Sequence, residues 1–119
     1  MSEKISGAIA RLANMPDGLG LAEVLKLIQP ELGDVDATIS ADLHRAEIAL
    51  PNDKRVIVKV TSARKRASST PVFRFKPPTE SWRYEVLYFG GLALGGKPVI
   101  YRRTPKDIGT MKTLTFSAS

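Results

Sequence analysis

The run LHRAEIALPNDKRVIVKVT, residues 43–61, decides the fold. Apolar and polar side chains alternate along both of its arms, which is the period of a half-buried strand. Pro51, Asn52 and Asp53 between the arms are turn formers, so the run reads as a β-hairpin. Pairing about Asn52 sets residue 50 opposite 54, 48 opposite 56, 47 opposite 57 and 45 opposite 59. One face then carries Ala46, Ile48, Leu50, Val56, Val58 and Val60, a core face. The other carries Arg45, Glu47, Arg55, Ile57 and Lys59, and is polar apart from Ile57. Glu47 sits opposite Ile57 and diagonal to Arg55 and Lys59, within reach of both.

Before the hairpin the period changes. Ile5, Ala8, Ile9 and Leu12 fall at helical spacing, and the pattern breaks at Asn14-Met15-Pro16-Asp17-Gly18. Leu21, Val24, Leu25 and Ile28 repeat the spacing, with Pro30 and Gly33 expected to close that second helix. Gly18-Leu19-Gly20 is read as the turn leading into it. It lacks the preceding strand and third glycine of a phosphate-binding loop. From about Ile39 onward the chain reads as strands. After the hairpin come a polar, basic loop over residues 62–70, a short strand at 72–75 stopped by Pro77-Pro78, and strands at 82–89, 98–102 and 114–116. Gly90-Gly91 and Gly95-Gly96 are expected to serve turns or a bulge. Along 82–89 neither alternating face is polar, which predicts a central strand with most of the aromatics Trp82, Tyr84, Tyr88 and Tyr101 in the core, while any left exposed could stack bases of a single strand. Two helices followed by five or six strands predict an α+β fold, with both helices packed on one face of a largely antiparallel, possibly mixed, sheet. The 119 residues suit one domain, helical over 1–33 and sheet over 39–116.

Charge divides the chain differently. Residues 1–53 carry four Lys/Arg against nine Asp/Glu, a net of −5. Residues 54–119 carry 14 against three, a net of +11, and the overall +6 conceals the division. A basic half beside an acidic one points to a polyanionic partner, nucleic acid above all. Arg64-Lys65-Arg66 in the Ser/Thr-rich loop, with Arg74, Arg102 and Arg103, are the expected phosphate contacts. DNA is expected ahead of RNA.

The absence of cysteine excludes disulfides, thiolate zinc sites and cysteine nucleophiles. A lone His44 excludes a histidine metal cluster within one chain and a Ser-His-Asp triad. The sequence has no run of about 18 apolar residues and no signal-peptide pattern at its start, so no membrane association and a cytoplasmic, reducing setting are expected.

Ala41-Asp42-Leu43, the hairpin, and then Val56-Ile57-Val58-Lys59-Val60-Thr61 together resemble the core of the PD-(D/E)XK nucleases. That family has an aspartate at the start of one strand and an acid-x-lysine on the next. The resemblance spans roughly residues 20–108 as a pattern of short motifs. It implies a divalent-metal-dependent nuclease, with Asp42 and Glu47 holding Mg2+ and Lys59 stabilising developing charge. The chain departs from the family where the acid before the lysine should stand, because that position is Ile57. Glu47, facing Ile57 across the hairpin, would supply the missing carboxylate. The simpler reading of Glu47 is a cross-strand ion pair with Arg55 or Lys59, and of Asp42 a turn residue.

Three functions stay open at this point: a nuclease using Asp42, Glu47 and Lys59; a nucleic-acid binder without catalysis; and a structural or inhibitor-type protein-protein interaction protein, a phage-encoded one included. In the last, acidic and basic halves would meet different partners, or each other in a homo-oligomer.

Overall fold

A computed structural model of the chain describes residues 3–62, 72–78, 80–92 and 97–117. Helix α1 (Ile5–Ala13) buries Ile5, Ala8, Ile9 and Leu12, the stripe its spacing predicts. Helix α2 (Leu19–Leu32) buries Leu21, Val24, Leu25 and Ile28 in the same way. Pro30 does not end α2, because the helix runs on to Leu32 and Gly33, at φ 81°, stops it. The amide that proline lacks falls in the last turn, where only one helical bond is lost.

Among the described residues six strands form the main sheet: β1 (Glu3–Lys4), β2 (Asp36–Ile39), β3 (Arg45–Ala49), β4 (Arg55–Ser62), β6 (Val86–Leu92) and β7 (Val99–Arg103). They lie in the order β1-β2-β3-β4-β6-β7. Strand β5 (Val72–Phe75) pairs instead with β8 (Leu114–Ser117) as a separate antiparallel ribbon. Among the described residues only the β4–β6 pair is parallel, so the sheet is mixed and the fold is α+β. The hairpin register is the expected one, with Arg45 opposite Lys59, Glu47 opposite Ile57 and Ile48 opposite Val56. Asp53 closes its turn at φ 59°, a left-handed conformation that aspartate tolerates. Strand β2 was not foreseen. It has four residues and only Ala37 and Ile39 to carry an apolar signal.

Each face of the sheet has its own core. On one, α1 and α2 cover Ala46, Ile48, Val56, Val58, Val60, Val86 and Tyr88. On the other, the β5–β8 ribbon brings Phe73, Phe75 and Leu114 against Ile57, Leu87 and Phe89, with Tyr84 and Ile108 closing the cluster. Ile57 is therefore fully buried, and the hairpin's second face is polar only where the ribbon does not reach.

Two expectations around β6 need correction, and a third holds with one exception. The strand begins at Val86 rather than at residue 82, and residues 81–83 form a 3-10 turn. Of the aromatics expected to be mostly core, Tyr84 and Tyr88 are buried and Trp82 is 70% exposed. Gly90 and Gly91 lie inside the strand rather than in a turn. A Cβ on Gly90 would meet Val24 at 2.6 Å, and one on Gly91 would meet the Phe73 ring at 2.7 Å. The pair is where α2 and the ribbon close on the sheet from opposite sides, and only glycine leaves room.

The layers keep the charge division of the sequence. Residues 3–35, the helical side, carry Lys4, Arg11 and Lys26 against Glu3, Asp17, Glu23, Glu31 and Asp34, a net of −2. The ribbon and its described connections carry Arg74, Lys76, Arg83, Lys106 and Lys112 against Glu80, Glu85 and Asp107, a net of +2.

Candidate functional site

Beside the ribbon, the outer face of β3 and β4 stays open. There Arg45, Glu47 and Arg55 meet Pro78, Glu80, Arg83 and Tyr84 around a cleft of about 500 Å3. Strand alternation puts Arg45 and Glu47 on the same face, and the register brings Arg55 diagonal to Glu47. Arg55 Nη1 donates to Glu47 Oε1 at 3.1 Å, and Arg45 Nη2 lies 3.8 Å from Glu47 Oε2. Arg83 Nε donates to Glu80 Oε2 at 2.8 Å. The three guanidinium groups are roughly half exposed. Ion pairs of this exposure are worth about 0–1 kcal/mol, so an incoming phosphate can exchange for a carboxylate at small cost. Next to the cleft the exposed Trp82 carries the Arg83 guanidinium 5.3 Å from its ring centre.

Asp42 and Glu47 share one hollow of about 250 Å3 with Thr38, Ile39, Ser40 and Arg45, so they lie on the same side of the sheet. Each already has partners. Asp42 Oδ1 accepts from the Ser40 hydroxyl and from the His44 amide at 3.0 Å, which fixes the turn between β2 and β3. Those bonds, the Ser40 one first, hold its carboxyl below the usual aspartate range. Glu47 is held by Arg55 and Arg45, the ion-pair arrangement. The half-buried Lys59 donates to the carbonyl of Lys76. Burial lowers its pKa most, then the Arg45 charge, while Asp42 pulls it back up. As these groups stand they do not fit a divalent cation. Mg2+ needs free carboxylate oxygens, and two guanidinium groups flank the only ones Glu47 has. Among the described residues no group of three His, Cys, Asp or Glu side chains could hold a metal ion.

The remaining expected cations do not form one patch. Arg74 stands exposed on the ribbon, paired across to Thr115 while its neighbours Phe73 and Phe75 turn inward. Arg102 and Arg103 point to opposite faces of β7, since Arg102 pairs with Tyr88 and Arg103 with Leu87. Arg102 comes beside the Tyr88 hydroxyl, which donates to Glu31 Oε2 of α2 at 2.8 Å. Arg103 lies over the Phe116 ring at 5.0 Å, on the ribbon side. Arg64, Lys65 and Arg66 lie outside the described residues.

The Arg45–Arg55–Arg83 cleft was missed in the sequence. Hairpin alternation alone groups Arg45 with Arg55, and that signal was legible. The pattern along 82–89 places Arg83 on a strand, and nothing local sets it against the hairpin.

Among the described residues no helix is long and apolar enough to cross a membrane. No protein-family model matches the sequence, and no curated protein or solved structure matches the chain at a significant level.

Proposed function

We propose that the chain is a nucleic-acid-binding module that takes the phosphate backbone on its ribbon side. The observation that carries this reading is the convergence of three exposed arginines from separate elements on one cleft, on the basic side of a two-faced molecule. Guanidinium groups bind phosphate oxygens in bidentate fashion, and partly exposed ones lose little on leaving a carboxylate. Arg74 on the ribbon and Arg103 over the Phe116 ring add positive charge to the same side of the sheet, apart from the cleft itself. The +11 of the second half of the chain provides long-range attraction. Binding rather than cleavage is the function preferred, because Asp42, Glu47 and Lys59 each serve another contact.

Fluorescence anisotropy with labelled single- and double-stranded DNA and RNA tests it. Affinity should fall steeply as salt rises, since each neutralised phosphate releases counterion. Arg55→Glu with Arg83→Glu should weaken binding whatever the base sequence. The reading fails if no polynucleotide binds at low salt. Magnesium-dependent cleavage lost in Glu47→Ala would replace it with the nuclease reading. Salt-sensitive self-association without nucleic-acid binding would favour contact between the acidic and basic sides of two copies.

A further inference from the structure

We propose that the polynucleotide this module takes is single-stranded, and that Trp82 is the platform on which one of its bases stacks. The inference rests on the nucleic-acid reading and adds the substrate class. Trp82 is the most exposed large apolar side chain among the described residues, and it stands in a short turn rather than on a face that another element covers. An indole left in water at the rim of a cationic cleft has no packing role to explain it. Its partner is Arg83, whose guanidinium lies 5.3 Å from the ring centre while Glu80 holds the same group at 2.8 Å. Arg83 thus joins the aromatic platform to the cleft that Arg45 and Arg55 line. A base on the indole and its flanking phosphate at the guanidinium groups is the pairing that single-strand sites use. A duplex cannot use it, because its bases are already stacked on one another. Sequence preference should be weak, since every base offers a π-face.

Trp82 is the only tryptophan of the chain, so its fluorescence reports the contact directly. The experiment titrates the full chain at low salt with oligothymidylate, oligouridylate, oligoadenylate and a duplex of equal length. It follows tryptophan emission and oligonucleotide anisotropy together. Single strands should quench the emission in step with the anisotropy, and the duplex should leave it nearly unchanged. Trp82→Ala should weaken single-strand binding about 5- to 150-fold, the range of one lost base stack, with duplex binding within about twofold. Trp82→Phe should recover most of the loss. The side chain is too exposed for these variants to unfold the protein, and circular dichroism checks that. Binding of single strands with unchanged emission, or equal losses on single and double strands in Trp82→Ala, would overturn the inference and leave the binding module intact. No binding to any polynucleotide would overturn both.

Discussion

Ile57 is the residue on which the nuclease-like pattern and the folded molecule disagree, and Ile57→Glu sets one against the other. The substitution restores an acid two residues before Lys59. If position 57 faced an open metal site, a carboxylate there would meet water and cost little. In the structure it replaces a fully buried side chain packed among Phe73, Phe75, Leu87 and Phe89. Removing a buried isoleucine costs about 2–5 kcal/mol. Burying a carboxyl without a partner adds roughly 1–3 kcal/mol even when it is protonated. The sum, about 3–8 kcal/mol, compares with about 5–15 kcal/mol for the whole stability of a domain. The loss must also depend on pH. Burial raises the folded-state pKa of the new glutamate above its unfolded value of about 4.3, so the folded state holds the proton more tightly. Stability of the variant relative to wild type then falls as pH rises above about 4.3, by about 1.4 kcal/mol per unit, until the folded pKa is passed. Urea unfolding followed by circular dichroism at pH 5 and pH 8 measures both effects. Ile57→Ala serves as the uncharged control, which should lose stability without the added pH slope. A loss below about 1 kcal/mol in Ile57→Glu, with no slope, would refute the burial of this face under the ribbon.

Glu47→Ala should change stability by no more than about 1 kcal/mol, because its ion pairs are partly exposed. It should tighten polynucleotide binding a few-fold by freeing Arg45 and Arg55, which anisotropy at fixed salt would show. Gly91→Val should destabilise by about 1–3 kcal/mol or more in urea, since even its Cβ would lie 2.7 Å from the Phe73 ring. Asp42 and Asp107 both titrate below the usual aspartate range. In Asp42 the Ser40 hydroxyl is the chief cause, and in Asp107 it is the Thr104 amide. With folded pKa values depressed, their contribution is present above the unfolded value and is lost as pH falls through the folded one. Acid unfolding below about pH 4 should therefore be shallower in Asp42→Asn and in Asp107→Asn than in wild type.

Periodicity and turn chemistry are local, and what they encode was legible in the sequence. The 3.6-residue spacing of Ile5, Ala8, Ile9 and Leu12 and of Leu21, Val24, Leu25 and Ile28 marked both helices and their buried stripes. The period-2 run around Pro51-Asn52-Asp53 fixed the hairpin register, because a slip by one residue would turn Ile48 and Val56 out to solvent. The division of charge could likewise be counted along the chain. What covers the other face of a strand is not local. Val72 pairs with Ser117 across most of the second half of the chain, and no pattern near either residue names its partner. Only that long-range ribbon makes Ile57 a core residue and brings Phe73 against Gly91. Arg83 reaches the hairpin arginines because β6 crosses over to lie parallel to β4, leaving the turn before it beside Arg55. Trp82 has the composition of a core residue and is exposed because the strand that would have buried it begins four residues later, at Val86. Local sequence fixes which face of an element is apolar. Which of those faces is covered, and which side chains then share a cleft, depends on pairing between segments far apart in the chain.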